Sequence, residues 1–362
     1  LVVIHLHFLM ILNRAATSFF LKTSKNSNLT FSLSLSSPVI KRAKSKMGKG
    51  ISKLLNELDS LVNPLEGLTL EDADLEFASD LDIRNLVDWI QSGKAKKIMV
   101  LTGAGVSVAA GIPDFRTPGT GLYDNLQKYN LPHPQAVFDV GFYRSNPQPF
   151  VTLAKELWPG LTHSPTLTHS FLKMLSDKGL LLRLYSQNID GLEYLAGIPD
   201  DKLVECHGHF RSATCIDCGT TADADSVKNT IVKNGTVPEC KTCGGNVKPD
   251  IVFFGESLPD RFHRLLRTDI QEADLLLVMG TSLQVAPVSM IPDMVECDHR
   301  VLFNREPVMK IRTGQDMFLP GDCDDHVQEL CSILGWKDDL LKENAKVQID
   351  DSNNKKKAEG ED

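Results

Sequence analysis

Cys215-Ile-Asp-Cys218 and Cys240-Lys-Thr-Cys243 constrain this chain more than any other feature. Two C-x-x-C knuckles with 21 residues between them have the spacing of a tetrahedral four-thiolate zinc site. Cys215, Cys218, Cys240 and Cys243 would then fill every ligand position and leave none for water. Such a zinc holds structure and performs no chemistry. The chemistry must come from the flanking segments, foremost Tyr185-Ser-Gln-Asn-Ile-Asp190 and Cys206-His-Gly-His209.

The remaining cysteines, Cys206, Cys297, Cys323 and Cys331, have no framework spacing in a chain of 362 residues, long enough to build its own core. That pattern indicates a reducing compartment and no disulfides. The net charge of −8 argues against direct nucleic-acid binding and suits basic, lysine-bearing partners. No run is long and apolar enough to cross a bilayer; the stretch Leu1–Leu12 is too short.

Residues 1–46 contain seven Lys or Arg and no acid, with Ser recurring around 32–37. An acid-free, basic, Ser-rich start is the pattern of a transit segment, which predicts a mitochondrial address. The alternative is an artefact upstream of a start at Met47, giving a cytoplasmic and nuclear protein, and the balance favours it. Met47-Gly-Lys-Gly-Ile-Ser52 then fits the short, common myristoylation pattern. Residues 337–362 are rich in lysine and acid and read as a disordered tail.

Residues 51–62 have helical apolar spacing, an acidic linker follows near 71–74, and 82–92 reads as another helix. Four apolar runs recur at 97–101, 180–185, 273–279 and 300–303, with helical patterns between them. Each ends in small or polar residues. Runs buried on both faces that alternate with helices predict a parallel α/β sheet. The expected fold is a Rossmann-like parallel sheet domain over 81–336, with a smaller inserted zinc-binding module at about 206–250. Residues 47–80 form an N-terminal helical segment and linker. Ligands of such sheets bind beyond the carboxyl ends of the strands, where the polar tails lie.

Gly103-Ala-Gly105 follows the first run, and a helix is expected after Val106. Glycines there would let backbone amides approach a pyrophosphate at a helix N-terminus. A lone G-x-G is weak evidence. Val108 occupies the third glycine's place, and no acid closes a second strand about 20 residues on, so a plain dehydrogenase is disfavoured. Gly111-Ile-Pro-Asp-Phe-Arg-Thr-Pro118 makes a poor strand and a poor helix and is a shaped loop. Phe115 is either core or a plate against a nicotinamide ring.

Taken in order, Gly103-Ala-Gly-Val-Ser107, Gly111–Arg116, Gln187–Asp190, His207-Gly208, the knuckles, Lys248–Glu256, Gly280-Thr-Ser282 and Asn304-Arg-Glu306 resemble the sirtuins. These are NAD-dependent protein-lysine deacylases. The likeness spans roughly 80–335 and is strongest to the class I branch, especially its cytosolic tubulin and histone deacetylase. It implies that Ala104, Gly105, Ser107 and Arg116 hold the phosphates and adjoining ribose, and that Val106, Val108, Asp114, Tyr123 and Arg305 also belong to the NAD site. It assigns Gln187, Asn188 and Asp190 to the nicotinamide ribose and carboxamide, with Ile189 and Phe115 packing the ring. Thr281, Ser282, Asn304, Glu306 and Cys323 would line the adenosine end. Val252, Phe253, Phe254, Gly255 and Glu256 would meet an acyl-lysine peptide added as a strand.

The same resemblance makes His207 the general base, with Asn188 and Asp190 as its catalytic companions; His209 is the nearest rival. An imidazole titrating near neutrality suits that role. The implied partners are acetylated protein lysines of histones, tubulin-like or metabolic proteins. The implied products are free lysine, nicotinamide and O-acetyl-ADP-ribose, so NAD is a consumed co-substrate and the one resident metal is structural Zn2+. No Arg lies between Thr117 and Tyr143 to meet an anionic acyl group, which leaves acetyl and longer apolar groups. Protein ADP-ribosyl transfer on the same scaffold is the alternative. A zinc-ribbon nucleic-acid module would need a basic, aromatic surface, and 206–250 balances five Lys or Arg against five acids.

Overall fold

A computed structural model describes residues 81–114, 119, 121, 122, 126 and 131–348. The N-terminal segments expected at 1–46, 51–62 and 71–74, together with Phe115, Arg116 and Tyr123, lie outside the described residues.

The first three strands of the large sheet are β1 (Ile98–Thr102), β2 (Leu181–Ser186) and β3 (Leu203–Glu205). The chain then builds a small antiparallel sheet from β4 (Gly208–Cys215), β5 (Thr221–Ala222) and β6 (Val247–Ile251). It returns as β7 (Leu275–Met279), β8 (His299–Asn304) and β9 (Met317–Pro320). The large sheet is parallel throughout, in the order β3-β2-β1-β7-β8-β9.

Both central strands, β1 and β7, are buried along their whole length, as their unbroken apolar runs predict. Alternate residues feed opposite layers. Ile98, Val100, Leu275 and Leu277 pack under α1 (Ile83–Gln91), and under two helices met later in the chain. Those are α4 (Leu167–Asp177) and α9 (Cys323–Leu334). Met99, Leu101, Leu276 and Val278 pack on the other face with Phe262, Leu266 and Ile291. Asp82 starts α1 with a reciprocal cap: its side chain accepts from the Arg84 amide at 2.8 Å, and Asn85 accepts from the Asp82 amide at 2.9 Å.

A third apolar cluster carries the zinc-knuckle sheet, and here the expected module is too small. Helices α2 (Val140–Ser145) and α3 (Gln148–Leu157) supply Tyr143, Phe150, Val151 and Leu153 to the same core as Phe210, Val247 and Phe253. Residues from 122–158 and from 210–253 therefore share one core. Phe150 and Phe253 meet edge to face with centroids 4.8 Å apart.

Of the disordered tail expected at 337–362, Lys337–Lys346 is instead a helix, α10, and residues 349–362 lie outside the described residues. Leu340 is fully buried, and Asn344 donates to the Pro165 carbonyl and to Ser170 Oγ, each at 3.1 Å. One leucine and one amide anchor a segment whose composition alone is polar. No helix among the described residues is long and apolar enough to cross a membrane.

Candidate active site

From β1 the sheet is extended in one direction by β2 and β3, and from β7 in the other by β8 and β9, so the switch point lies between β1 and β7. Open α/β sheets bind ligands there. Gly103 follows β1 and Gly280 follows β7. Their backbones touch: the Gly103 amide donates to the Met279 carbonyl at 3.1 Å and the Gly105 amide to the Gly280 carbonyl at 2.7 Å. A Cβ on Gly105 would stand 2.6 Å from Gly280 Cα, and one on Gly103 2.7 Å from Thr281 Cβ. The glycines of this turn thus allow backbone to pack on backbone. The expected α-helix after Val106 is instead a 3-10 segment, Ala104–Ala110. A seven-residue 3-10 segment offers an anion less of a helix dipole than an α-helix would.

A cavity of about 650 Å3 opens over the switch point, a size suited to a small-molecule site. Of the expected dinucleotide residues, Ala104, Gly105, Val108 and Asp114 line it beside β1, and Gln187, Asn188 and Ile189 beside β2. Thr281 and Ser282 follow β7, Asn304, Arg305 and Glu306 follow β8, and Cys323 opens α9; all line the same cavity. Val252–Glu256 form another wall, and His207 stands among them. Leu258, Gln284 and Val285 also line it, as do Phe138 and Asp322, which no spaced motif marks in the sequence.

Three expected residues stand behind the wall. Val106 and Ser107 are buried, and neither they nor Asp190 reach the cavity surface. Asp190 Oδ2 accepts from Ser107 Oγ at 2.7 Å and Oδ1 from the Leu192 amide at 3.0 Å. Ser107 Oγ also accepts from Asn188 Nδ2 at 3.3 Å, and the same amide group donates to the Gly103 carbonyl at 3.1 Å. Gln187 Nε2 reaches Thr281 Oγ1 at 2.8 Å and the Thr102 carbonyl at 3.1 Å. The loop after β2 is therefore stitched to the ends of both β1 and β7. Burial, with the nearby Glu193 charge, raises the Asp190 carboxyl to about 6, against the opposing pull of His169, the Leu192 amide and Ser107.

His207 precedes β4. Its Nδ1 lies 2.7 Å from the Gln187 carbonyl oxygen, and its Nε2 is buried with no hydrogen-bond partner. Burial holds the imidazole below its ordinary value, opposed only by that bond to Gln187. Gly208 has φ +76°, and a Cβ there would run into the Asp250 carbonyl, so glycine is required after His207. His209 does not line the cavity.

The substrate run divides. The Phe253 ring is fully buried in the third apolar cluster, so its side chain is core; Phe254 is exposed. Phe254 donates to the Phe138 carbonyl at 2.7 Å and accepts from the Val140 amide at 3.2 Å. Val252 donates to the His207 carbonyl, and Phe253 donates to Glu256 Oε2 at 2.7 Å. Glu256 also pairs with buried Lys248 at 3.0 Å. Gly255, at φ +94°, is the residue of this run whose amide carries no such bond.

The knuckle thiols of Cys215, Cys218, Cys240 and Cys243 all lie within 4.8 Å of one another. Sγ–Sγ separations are 3.5 Å for Cys215–Cys243 and 3.6 Å for Cys218–Cys240. Tetrahedral zinc with Zn–S of about 2.3 Å places its sulfurs about 3.8 Å apart, so this donor set fits the metal. The Asp217, Thr242 and Gly245 amides point at Cys215, Cys240 and Cys243 sulfurs at 3.4–3.5 Å, which orients thiolates.

A doubly wound parallel sheet with a cavity at its switch point, beside a four-cysteine module that fits zinc, defines a Rossmann-like α/β protein with a small-molecule site. The model of the Sir2 family matches residues 103–287. The chain is 48% identical over 267 residues to the NAD-dependent protein deacetylase hst2 of Schizosaccharomyces pombe, covering 73% of this chain and 80% of that one. It is 44% identical over 305 residues to the NAD-dependent protein deacetylase sirtuin-2 of Danio rerio, covering 78% and 79%. It is 46% identical over 263 residues to the NAD-dependent protein deacetylase sirtuin-3 of Mus musculus, covering 72% and 78%. The chain belongs to the Sir2 family.

Proposed function

We propose that this protein removes acetyl groups from protein lysines with NAD as a consumed co-substrate, and that His207 is its general base. The observation that carries the reading is the pair of facts about that ring. A carbonyl oxygen only accepts, so the 2.7 Å bond to Gln187 places a proton on Nδ1. In the neutral ring Nε2 is then the acceptor, and it is the atom without a partner in the cavity wall. The lowered affinity for a second proton keeps it in that form near neutrality.

When bound, NAD supplies an activated glycosidic bond whose cleavage frees nicotinamide and offers a ribose hydroxyl to the acyl group. The chain's own residues orient and move protons. His207 Nε2 takes the hydroxyl proton, directly or by relay. Asn188 presents an amide group held by Gly103 and Ser107. Asp190 acts one layer back, fixing Ser107 and the start of the following helix. Arg305, paired with Asp322 at 2.5 Å, and Glu306 serve the adenosine end, where a carboxylate accepts two ribose hydroxyls. Gly255 offers a main-chain donor to an extended peptide entering beside Val252–Glu256. The substrates we propose are acetylated histones and tubulin-like or metabolic proteins. Unpaired cysteines and the net charge of −8 support a reducing compartment, cytoplasmic and nuclear, and basic partners.

Nicotinamide release tests the reading. Protein incubated with NAD and an acetyl-lysine peptide should release nicotinamide in step with peptide deacetylation. Nicotinamide release that labels protein with ADP-ribose and leaves the peptide acetylated would favour transferase chemistry instead.

A further inference from the structure

Behind the cavity lies a polar cluster that the reading above does not use. Glu193 sits on the short helix α5 (Leu192–Leu195), immediately after the loop carrying Asn188 and Asp190. Its side chain is buried, with 1% of the residue exposed. A carboxylate in such a place needs partners. Glu193 Oε1 accepts from Ser186 Oγ at 2.5 Å and from Thr102 Oγ1 at 3.2 Å, the last residues of β2 and β1. Ser186 Oγ in turn accepts from the Asn188 amide at 3.1 Å. One carboxylate therefore ties both strand ends and, through Ser186, sets the backbone of Asn188.

His169 faces the same space from α4. A ring nitrogen of His169, a carboxylate oxygen of Asp190 and one of Glu193 all lie within 4.8 Å of one another. His169 is fully buried. Its Nδ1 accepts from the buried Thr166 amide at 3.2 Å, and the Thr166 hydroxyl, 2.8 Å away, donates to it or to the Val106 carbonyl. Nδ1 as acceptor puts the ring proton on Nε2, and Nε2 has no hydrogen-bond partner. That unpartnered donor belongs to a ring that neighbours the half-buried Asp190 carboxylate and the buried Glu193 carboxylate.

Three atoms within 4.8 Å of one another leave a point no farther than about 2.8 Å from each, which is within hydrogen-bond reach. A single water satisfies that geometry, accepting from His169 Nε2 and donating one proton to each carboxylate. Buried waters characteristically make about three such bonds to otherwise unsatisfied groups. A metal cation fits less well. It would need the Nε2 lone pair, so the ring proton would move to Nδ1 and strand the Thr166 amide.

We propose that Glu193 is a positioning residue for the nicotinamide-side loop, holding Asn188 through Ser186 and Asp190 through one water shared with His169. This rests on the reading of Gln187–Asp190 as part of the NAD site. The peptide wall is tied chiefly through Phe138, Val140 and Lys248 and reaches the loop only through Val252, His207 and Gln187, so the larger effect falls on NAD.

The test is steady-state kinetics with the full chain. Glu193→Ala leaves Thr102 and Ser186 without their acceptor. It should raise the NAD KM by about tenfold or more, the scale of a small misplacement of a binding group. The acetyl-peptide KM should change less than about twofold. Glu193→Gln keeps an acceptor oxygen and the shape, and should recover most of the loss. If Glu193→Ala does not fold, Ser186→Ala removes only the relay and is read the same way. An unchanged NAD KM in the variant that folds, or equal increases in both KM values, overturns the positioning role. Wild-type protein that neither binds NAD nor deacetylates sinks the reading of the site and this inference with it. A high-resolution crystal structure should show one water within reach of all three side chains, and a dry gap or a metal there overturns the bridge.

Discussion

His207 Nδ1 donates to the Gln187 carbonyl across 2.7 Å, so a residue of the loop after β2 sets the tautomer of that imidazole. Ring and loop cannot move apart without losing that bond. His207→Ala should lower deacetylation by about 10²–10⁴-fold, the usual contribution of a general base. NAD affinity, measured by calorimetry, should stay close to wild type. Near-normal turnover in the mutant would remove His207 from the mechanism.

The pH profile follows from the burial of the same ring. Its folded-state value lies below the ordinary 6.5, so the unprotonated base persists to lower pH than a free imidazole would. The acid limb of kcat/KM for the acetyl peptide should therefore fall below about 6.5 and should disappear in His207→Ala. An acid limb above neutrality in the wild type would contradict a desolvated base.

Asp190 gives a stability signature of the opposite sense. Its carboxyl titrates at about 6 in the folded protein against 3.8 in the unfolded chain, chiefly through burial. Because the folded state binds this proton more tightly, the resulting stability is full below about 3.8 and is lost as pH rises through about 6. Asp190→Asn carries no charge and escapes that loss. The Tm of the variant relative to wild type should thus rise between about pH 4 and pH 7. A difference that does not change with pH would show that the Asp190 carboxyl is not perturbed in the folded state.

The four thiols should hold one structural Zn2+ per chain, with no role in the chemical step. Chelation should loosen the β4-β5-β6 sheet and cost activity indirectly, because metal binding is coupled to folding of the site. Cys218→Ser should lower zinc content and Tm together. A metal-free protein with full activity and unchanged Tm would contradict this.

How far the sequence alone carries depends on what each residue advertises. The four central strands were legible because burial on both faces demands unbroken apolar runs. The edge strands Leu203–Glu205 and Met317–Pro320 are three and four residues long, too short for their pattern to mark them as strands. The knuckles announced themselves by spacing. The helices of 140–157 did not reveal which core they join, since an amphipathic stripe names no partner. Gly103 and Gly105 mark a close backbone approach in the sequence, but no local pattern encodes that they also admit the Gly280 backbone. Glu193 was invisible, because a glutamate in the first turn of a helix reads as exposed, and only the fold reveals that it reaches Ser186 and Thr102.

The central claim is that this chain transfers an acetyl group from lysine to ADP-ribose at the expense of NAD. Mass spectrometry of an acetyl-lysine peptide incubated with the protein, with and without NAD, tests it most directly. The account predicts a deacetylated peptide and O-acetyl-ADP-ribose in equal amounts, only when NAD is present, and neither product with His207→Ala. Deacetylation without NAD, or NADH in place of nicotinamide and O-acetyl-ADP-ribose, would contradict it.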